Sequence, residues 1–210
     1  MSDWDHWPTL NASGDDEHLR EHALRREAIF QGRLLHVVRD HVRLPDGAEA
    51  TRELILHPGA VMVMPMLEDG RLVIERQYRH PMQSVVLEFP AGKRDPNEPS
   101  LRCAQRELRE ETGLSAKRWA FAGRMAPSVA YTDELIDLWL ACDLMPGAHQ
   151  RDPGEFMDVC LTTLDELEAL ARQGAVVDSK TLSGLWWLRS WRDGAWQPEW
   201  QSLAVSALDD

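Results

Sequence analysis

Residues 92–114, GKRDPNEPSLRCAQRELREETGL, hold the densest set of side chains able to do chemistry in this chain. Glu107, Glu110 and Glu111 stand three and four positions apart, with Glu98 upstream. On a helix these acids would share a face, where like charges cost roughly 0.2–0.5 kcal/mol per pair. They would also fall in the last turn, where the macrodipole disfavours negative charge. A divalent cation reverses both penalties, and carboxylate oxygens suit hard ions such as Mg²⁺ or Mn²⁺. The alternative is a solvated acidic face with Arg102, Arg106 and Arg109 as helix partners.

The element that must position these acids is well marked. Residues 101–111 contain no glycine, proline or β-branched residue. Pro99 and Ser100 suit the first turn and cap, and Gly113 suits the position past the last turn. Leu101, Ala104 and Leu108 form one apolar stripe that predicts packing on a core.

Strands precede this helix. Ile29, Phe30 and residues 34–44 read as strands, Pro45-Asp46-Gly47 as a turn, and residues 51–56 as a returning strand. Residues 59–66 read as a buried strand, 68–70 as a turn, 71–78 as its return, and 85–89 as a strand leading into Pro90-Ala91-Gly92. After the helix come strands at 118–124, 135–142 and 157–162, with a loop over 125–134. Amphipathic helices follow at 164–172 and 179–192, and residues 193–210 read mostly as a tail. Strands, helix, strands and helix in that order suit a mixed sheet packed between helices rather than a doubly wound parallel sheet. No internal repeat or low-complexity tract is evident.

At 210 residues, with 43% hydrophobic and 28% charged residues, one domain, or one domain with an appendage, is expected. The net charge of −12 argues against a non-specific nucleic-acid or anionic-membrane surface. It leaves room for an anionic substrate, because bound cations can supply positive charge. Cys103, Cys142 and Cys160 lack CxxC spacing and read as buried small hydrophobes in a reducing compartment. No signal-peptide pattern or membrane-length apolar stretch occurs, so a cytoplasmic location is the expectation. Residues 1–22 carry six acids against a single arginine and read as a flexible leader. Trp4 and Trp7 within it are expected to tuck against the body or a partner chain. Trp186, Trp187 and Trp191, with Trp196 and Trp200 beyond, read as packing rather than a ligand box.

Gly92, five residues, Glu98, seven residues, then RELREETGL resembles the Nudix hydrolase signature at every fixed position. Flanking stretches extend the likeness from about residue 27 to about 187: RLPDGAEATRELILHPGAVMVMP, RLVIERQYRHP, LEFPAG, APSVAYTDELIDLWLA and DSKTLSGL. These resemble the ADP-ribose pyrophosphatase subfamily, whose pattern is shared with hydrolases of other nucleoside diphosphate sugars. The chain departs in reading Pro127-Ser128-Val129-Ala130 where typical members have Ser-Pro-Gly.

The resemblance implies an α/β fold, a Nudix-type α/β/α sandwich with a mixed sheet, preceded by a small antiparallel β meander. It implies a meander over 23–57 that serves in dimerisation, a catalytic domain over 58–195 and a tail over 196–210. It implies Mg²⁺, or Mn²⁺, held by Glu107, Glu111 and the Ala91 carbonyl, with Glu110 a third ligand or an orienting residue. Arg106 and Glu98 would hold the loop and the glutamates in place, and Gly92 would let the backbone approach closely. Glu134 stands where the subfamily carries its general base, with a solvated turn residue as the alternative. Arg79 could grip a phosphate bidentately or form a surface ion pair. Arg52 and Glu53 resemble residues near the nucleobase or across a dimer, with cross-strand charge pairing as the alternative. The implied activity is hydrolysis of ADP-ribose to AMP and ribose 5-phosphate by a homodimer. The alternatives are another nucleoside diphosphate sugar, or a silent module that binds ADP-ribose-like ligands.

Overall fold

The computed structural model describes residues 16–148 and 154–202, and the chain divides into two units, residues 1–56 and 57–210. Trp4, Trp7 and the rest of the expected leader before residue 16 lie outside the described residues, as do 203–210.

The first unit is an antiparallel sheet of three strands, β1 (His22–Gln31), β2 (His36–Arg43) and β3 (Glu49–Leu56), with β2 central. It is the expected meander, but β1 starts seven residues before Ile29. Its first half has no apolar alternation and is tied by charge instead. Arg26 forks onto Asp40 of β2 at 2.6 and 2.7 Å, and Glu27 meets His41 at 3.0 Å. Residues 17–19, expected in the leader, form a short 3₁₀ turn.

The second unit is built on β4 (Ala60–Pro65), whose six residues are all buried. Around it stand β5 (Leu72–Arg79), β6 (Ser84–Glu88), β7 (Ala91–Lys93), β8 (Leu114–Met125), β9 (Ile136–Pro146), β10 (Met157–Thr162) and β11 (Gln201–Ser202). The main sheet runs β11-β8-β9-β4-β7, mixed because β4 and β9 are parallel; a second, antiparallel sheet runs β10-β5-β6.

Alternation along β4 decides the layers. Val61 and Val63 pack with Trp119, Trp139 and the apolar stripe of α1 (Ser100–Thr112): Cys103, Ala104 and Leu108. Met62 and Met64 pack on the opposite side with Ile74, Phe89, Leu138 and Leu140. They also meet Leu167 of α2 (Leu164–Arg172) and Leu185 and Leu188 of α3 (Ser179–Arg192). Helices therefore cover both faces, which is the expected α/β/α sandwich with a mixed sheet.

Local chemistry sets the helix ends. α2 starts with a reciprocal cap between Thr163 and Glu166, and α3 with the Asp178 side chain accepting the Thr181 N–H at 2.8 Å. Gly113 ends α1 at φ 74°. Ser100 does not cap α1: Pro99 occupies that place, and the Ser100 hydroxyl accepts the Trp139 indole N–H at 2.9 Å.

The larger differences in strand limits lie in the second unit. β8 and β9 extend four residues further at the end away from their connecting loop, where Leu114 pairs with Pro146, and Ala91–Lys93 forms a strand of its own against β4. The stretch after α3 is pinned rather than loose. Trp196 and Trp200 pack on the core, with Trp187 and Trp191 as ring partners at 4.8 and 5.5 Å, and β11 pairs with β8. Trp186 stands 62% exposed and packs edge-on to Trp187 at 4.7 Å. Cys103 and Cys142 are buried and Cys160 is half-buried.

Candidate active site

The site is assembled where α1 passes β7. Packing of Cys103, Ala104 and Leu108 into the core turns Glu107 and Glu111, one helical turn apart, toward Ala91 and Gly92. The Ala91 N–H donates to Glu111 Oε2 at 3.0 Å. The Glu107 carboxylate lies so close to Gly92 that any Cβ there would collide with it. Ala91 thus meets Glu111 through its amide, and Gly92 meets Glu107.

Arg106 locks this corner. Its Nε and Nη2 donate to the two Glu98 oxygens, each at 3.0 Å, and Nη2 also reaches the Lys93 carbonyl at 3.0 Å. Its Nη1 donates to Glu107 at 2.8 Å and Glu110 at 3.0 Å. One guanidinium thus holds the loop before α1 and two of its acids. The same arginine draws the Glu98 carboxyl down to about 2.

The inner acids are pushed the other way. Burial, opposed by Arg106, raises the Glu107 carboxyl to about 7. Burial also raises Glu111; the charges of Glu75 and Glu107 add to it, while the Ala91 amide opposes it. Glu75 of β5 is 3% exposed and was missed at the sequence level. Its signal was an acid inside an apolar strand, after Leu72, Val73 and Ile74, on the strand that ends at Arg79.

These hard oxygen donors, buried and mutually repelling, fit a divalent cation. They do not form a ready cage: among the described residues no group of three or more His, Cys, Asp or Glu side chains already has metal-holding geometry.

The other expected residues fall in three places. Arg79, last in β5, forks onto Glu88 at 2.6 and 2.9 Å, and its guanidinium lies within electrostatic reach of Glu111. Glu134 sits on the loop after β8, its Oε1 3.6 Å from His57 Nδ1. That loop is fastened where Asp133 accepts the His57 N–H at 2.8 Å. Beside it lies a polar cavity of about 190 Å³ bounded by His57, Arg94, Arg124, Asp133, Leu135 and Asp137. Arg52 and Glu53 belong to the first unit. There Arg52 pairs with Glu21, and Glu53 accepts from Arg39 of the neighbouring strand at 2.6 and 3.2 Å. Glu53 shows the cross-strand pairing weighed as its alternative.

Comparison with known proteins bears on both units. Residues 56–184 match the NUDIX domain, and residues 21–55 match the nucleoside diphosphate sugar hydrolase N-terminal domain. The chain is 33% identical over 173 residues to an ADP-ribose pyrophosphatase of Bacillus subtilis, an alignment spanning 81% of this chain and 94% of that one. It is 35% identical over 171 residues to a methanol dehydrogenase activator of Bacillus methanolicus, spanning 80% and 92%. A crystal structure of an ADP compounds hydrolase superposes with a TM-score of 0.76 at 26% identity, covering 84% of this chain and 97% of that one.

Proposed function

Because the chain belongs to the Nudix hydrolases, as a pyrophosphohydrolase of the nucleoside diphosphate sugar type, we propose that its substrate is ADP-ribose, cleaved to AMP and ribose 5-phosphate. The observation that carries the reading is the corner of Glu107 and Glu111 against Ala91 and Gly92, with Arg79 within electrostatic reach of it. The family generally depends on a divalent metal. Glu107 and Glu111 would hold it here, joined by Glu110 and the Ala91 carbonyl; Glu75 is a further candidate. When bound, such an ion neutralises phosphoryl oxygens and lowers the pKa of a coordinated water from ~15.7 toward ~7.

The protein's own contribution is charge and placement. Arg106 keeps Glu107 and Glu110 fixed on the face turned to the loop. Arg79, with two nitrogens engaged by Glu88, has a third for a phosphoryl oxygen. Glu134, beside His57 on a fastened loop, takes the role of general base. Ordinary packing cannot explain why the chain buries like charges so close together, since like charges destabilise one another.

The name of the Bacillus subtilis relative supports ADP-ribose. The departure at Pro127-Ser128-Val129-Ala130, where Val129 is 84% exposed, supports testing other nucleoside diphosphate sugars beside it. A screen across nucleoside diphosphate sugars, with and without Mg²⁺, in which added alkaline phosphatase frees phosphate from the monoester products, is the test. ADP-ribose as the best substrate by kcat/KM is the expected result. A better turnover of another sugar moves the assignment, and no turnover of any leaves a binding module.

A homodimer is part of the proposal. The first unit leaves Leu24, Ile29 and Phe30 exposed, and three strands alone do not bury two faces. We place Arg52 of one chain at the partner's site. Light scattering at micromolar concentration should return twice the 24.0 kDa chain mass. Mixing Arg52→Ala with Glu111→Gln chains should restore activity if the site is shared.

A further inference from the structure

A chain of four charges runs from the start of α3 to the end of β5. Asp178 accepts Lys180 Nζ at 2.9 Å, and Lys180 Nζ also donates to Glu88 Oε2. Glu88 in turn receives Arg79 in the fork already described. Exposure changes along the chain: the Lys180 and Glu88 side chains are 12% and 6% exposed, whereas that of Arg79 is 44% exposed. Only the arginine end of the network is open to a ligand.

The fork has a directional consequence. It uses Nε and Nη2, so the planar guanidinium is fixed with Nη1 as its remaining nitrogen. It also has a cost in charge. An isolated Arg–Glu pair is neutral and gives little attraction to an anion. Lys180, set against the same carboxylate, balances the Glu88 charge nearest Arg79; Asp178, which brings the four charges to zero, lies farther back at a helix N-terminus that favours negative charge.

We propose that Lys180 is a positioning residue, which through Glu88 fixes the direction of Arg79 and keeps that arginine effectively cationic toward the substrate's pyrophosphate. The proposal rests on the reading of Arg79 as a phosphate-binding residue. The competing account is a staple that only fastens α3 to β6, alongside the Phe89 N–H donated to Thr181 Oγ1 at 3.0 Å.

The full chain is compared with Lys180→Met, Lys180→Arg, Arg79→Ala and the Arg79→Ala/Lys180→Met double variant. The readouts are kcat and KM for ADP-ribose with Mg²⁺, Tm, and the side-chain Nε–H signal of Arg79 by NMR. Lys180→Met should raise KM about tenfold with a much smaller change in kcat, and Lys180→Arg should restore it. In the Arg79→Ala background the methionine should add nothing. The Arg79 Nε–H signal should be sharp in the wild type and broadened in folded Lys180→Met. Should that variant fail to fold, Lys180→Gln, which removes the charge and leaves the Glu88–Arg79 fork its carboxylate, takes its place, and broadening of the Arg79 signal is expected there too. A KM increase that persists without Arg79, or an unchanged Arg79 signal in the folded variant, overturns the proposal. If the wild type hydrolyses no nucleoside diphosphate sugar, the functional reading fails, and the Arg79 signal still decides the positioning claim.

Discussion

Replacing Arg106 by alanine should cost the protein a pH-dependent share of its stability. Arg106 is the main reason the Glu98 carboxyl falls from 4.5 to about 2. A depression of that size corresponds to stabilisation on the order of 3 kcal/mol near neutral pH. The Glu98 and Arg106 side chains are 14% and 29% exposed, so solvent screening trims this only modestly. The folded value lies below the unfolded one, so this stability is present above 4.5 and is lost as pH falls toward about 2. Urea unfolding of wild type and Arg106→Ala at a series of pH values measures it. At about pH 6 the difference should be about 3 kcal/mol, a Tm gap of roughly 6–12 °C for a chain of this size. By about pH 3 it should have roughly halved. A difference that stays constant with pH would mean that Arg106 contributes packing rather than charge. A difference below about 1 kcal/mol at neutral pH would place the pair among ordinary surface ion pairs.

Other outcomes follow from the same corner and from the C-terminal packing. Burial raises Glu107 to about 7, so without added metal its own contribution to stability should be greatest below 4.5 and be lost as pH climbs to about 7, which urea unfolding of wild type against Glu107→Gln measures. Because metal binding requires the deprotonated ligands, the Tm increase produced by Mg²⁺ should be larger at about pH 8 than at about pH 6. A pH-independent increase would contradict the ligand assignment. Glu111→Gln removes a buried like charge, so without Mg²⁺ it should unfold no earlier than wild type. With Mg²⁺ it should lose roughly 10³-fold in kcat, about 4 kcal/mol of barrier; wild-type turnover would remove Glu111 from the ligand set. Trp200 packs on Trp191 at 5.5 Å and under Arg118 at 4.6 Å. Trp200→Ala should cost about 2–3 kcal/mol in urea unfolding, and a loss below about 0.5 kcal/mol would return this stretch to the status of a tail.

The parts of the fold that carry regular apolar patterning were legible before any coordinates. α1 is bounded by Pro99 and Gly113 and striped by Ala104 and Leu108, and β4 is an unbroken apolar run. Elements held by other forces were not. The first half of β1 is fastened by Arg26 and Glu27, whose charges read as solvent-facing, and β11 follows a stretch held on the core by Trp196 and Trp200. Within the site, Glu107, Glu111 and Arg106 were marked by spacing on one helix. Glu75, Glu88 and Lys180 lie on other elements and come together only through tertiary packing; an acid inside an apolar strand marked Glu75, and local spacing marked neither Glu88 nor Lys180.

The two-residue strand β11 lies along β8, at the margin of the main sheet. An uncovered strand margin offers a row of amide and carbonyl groups to any other chain with a free edge. Gln201 and Ser202 occupy part of that row, opposite Trp119 and Arg118. Proteolytic nicking before Trp196, or a bulky fusion that pulls this stretch away, would therefore do more than loosen packing. It would convert a soluble margin into a template for strand addition, and the damage would show first as concentration-dependent aggregation rather than as lost turnover.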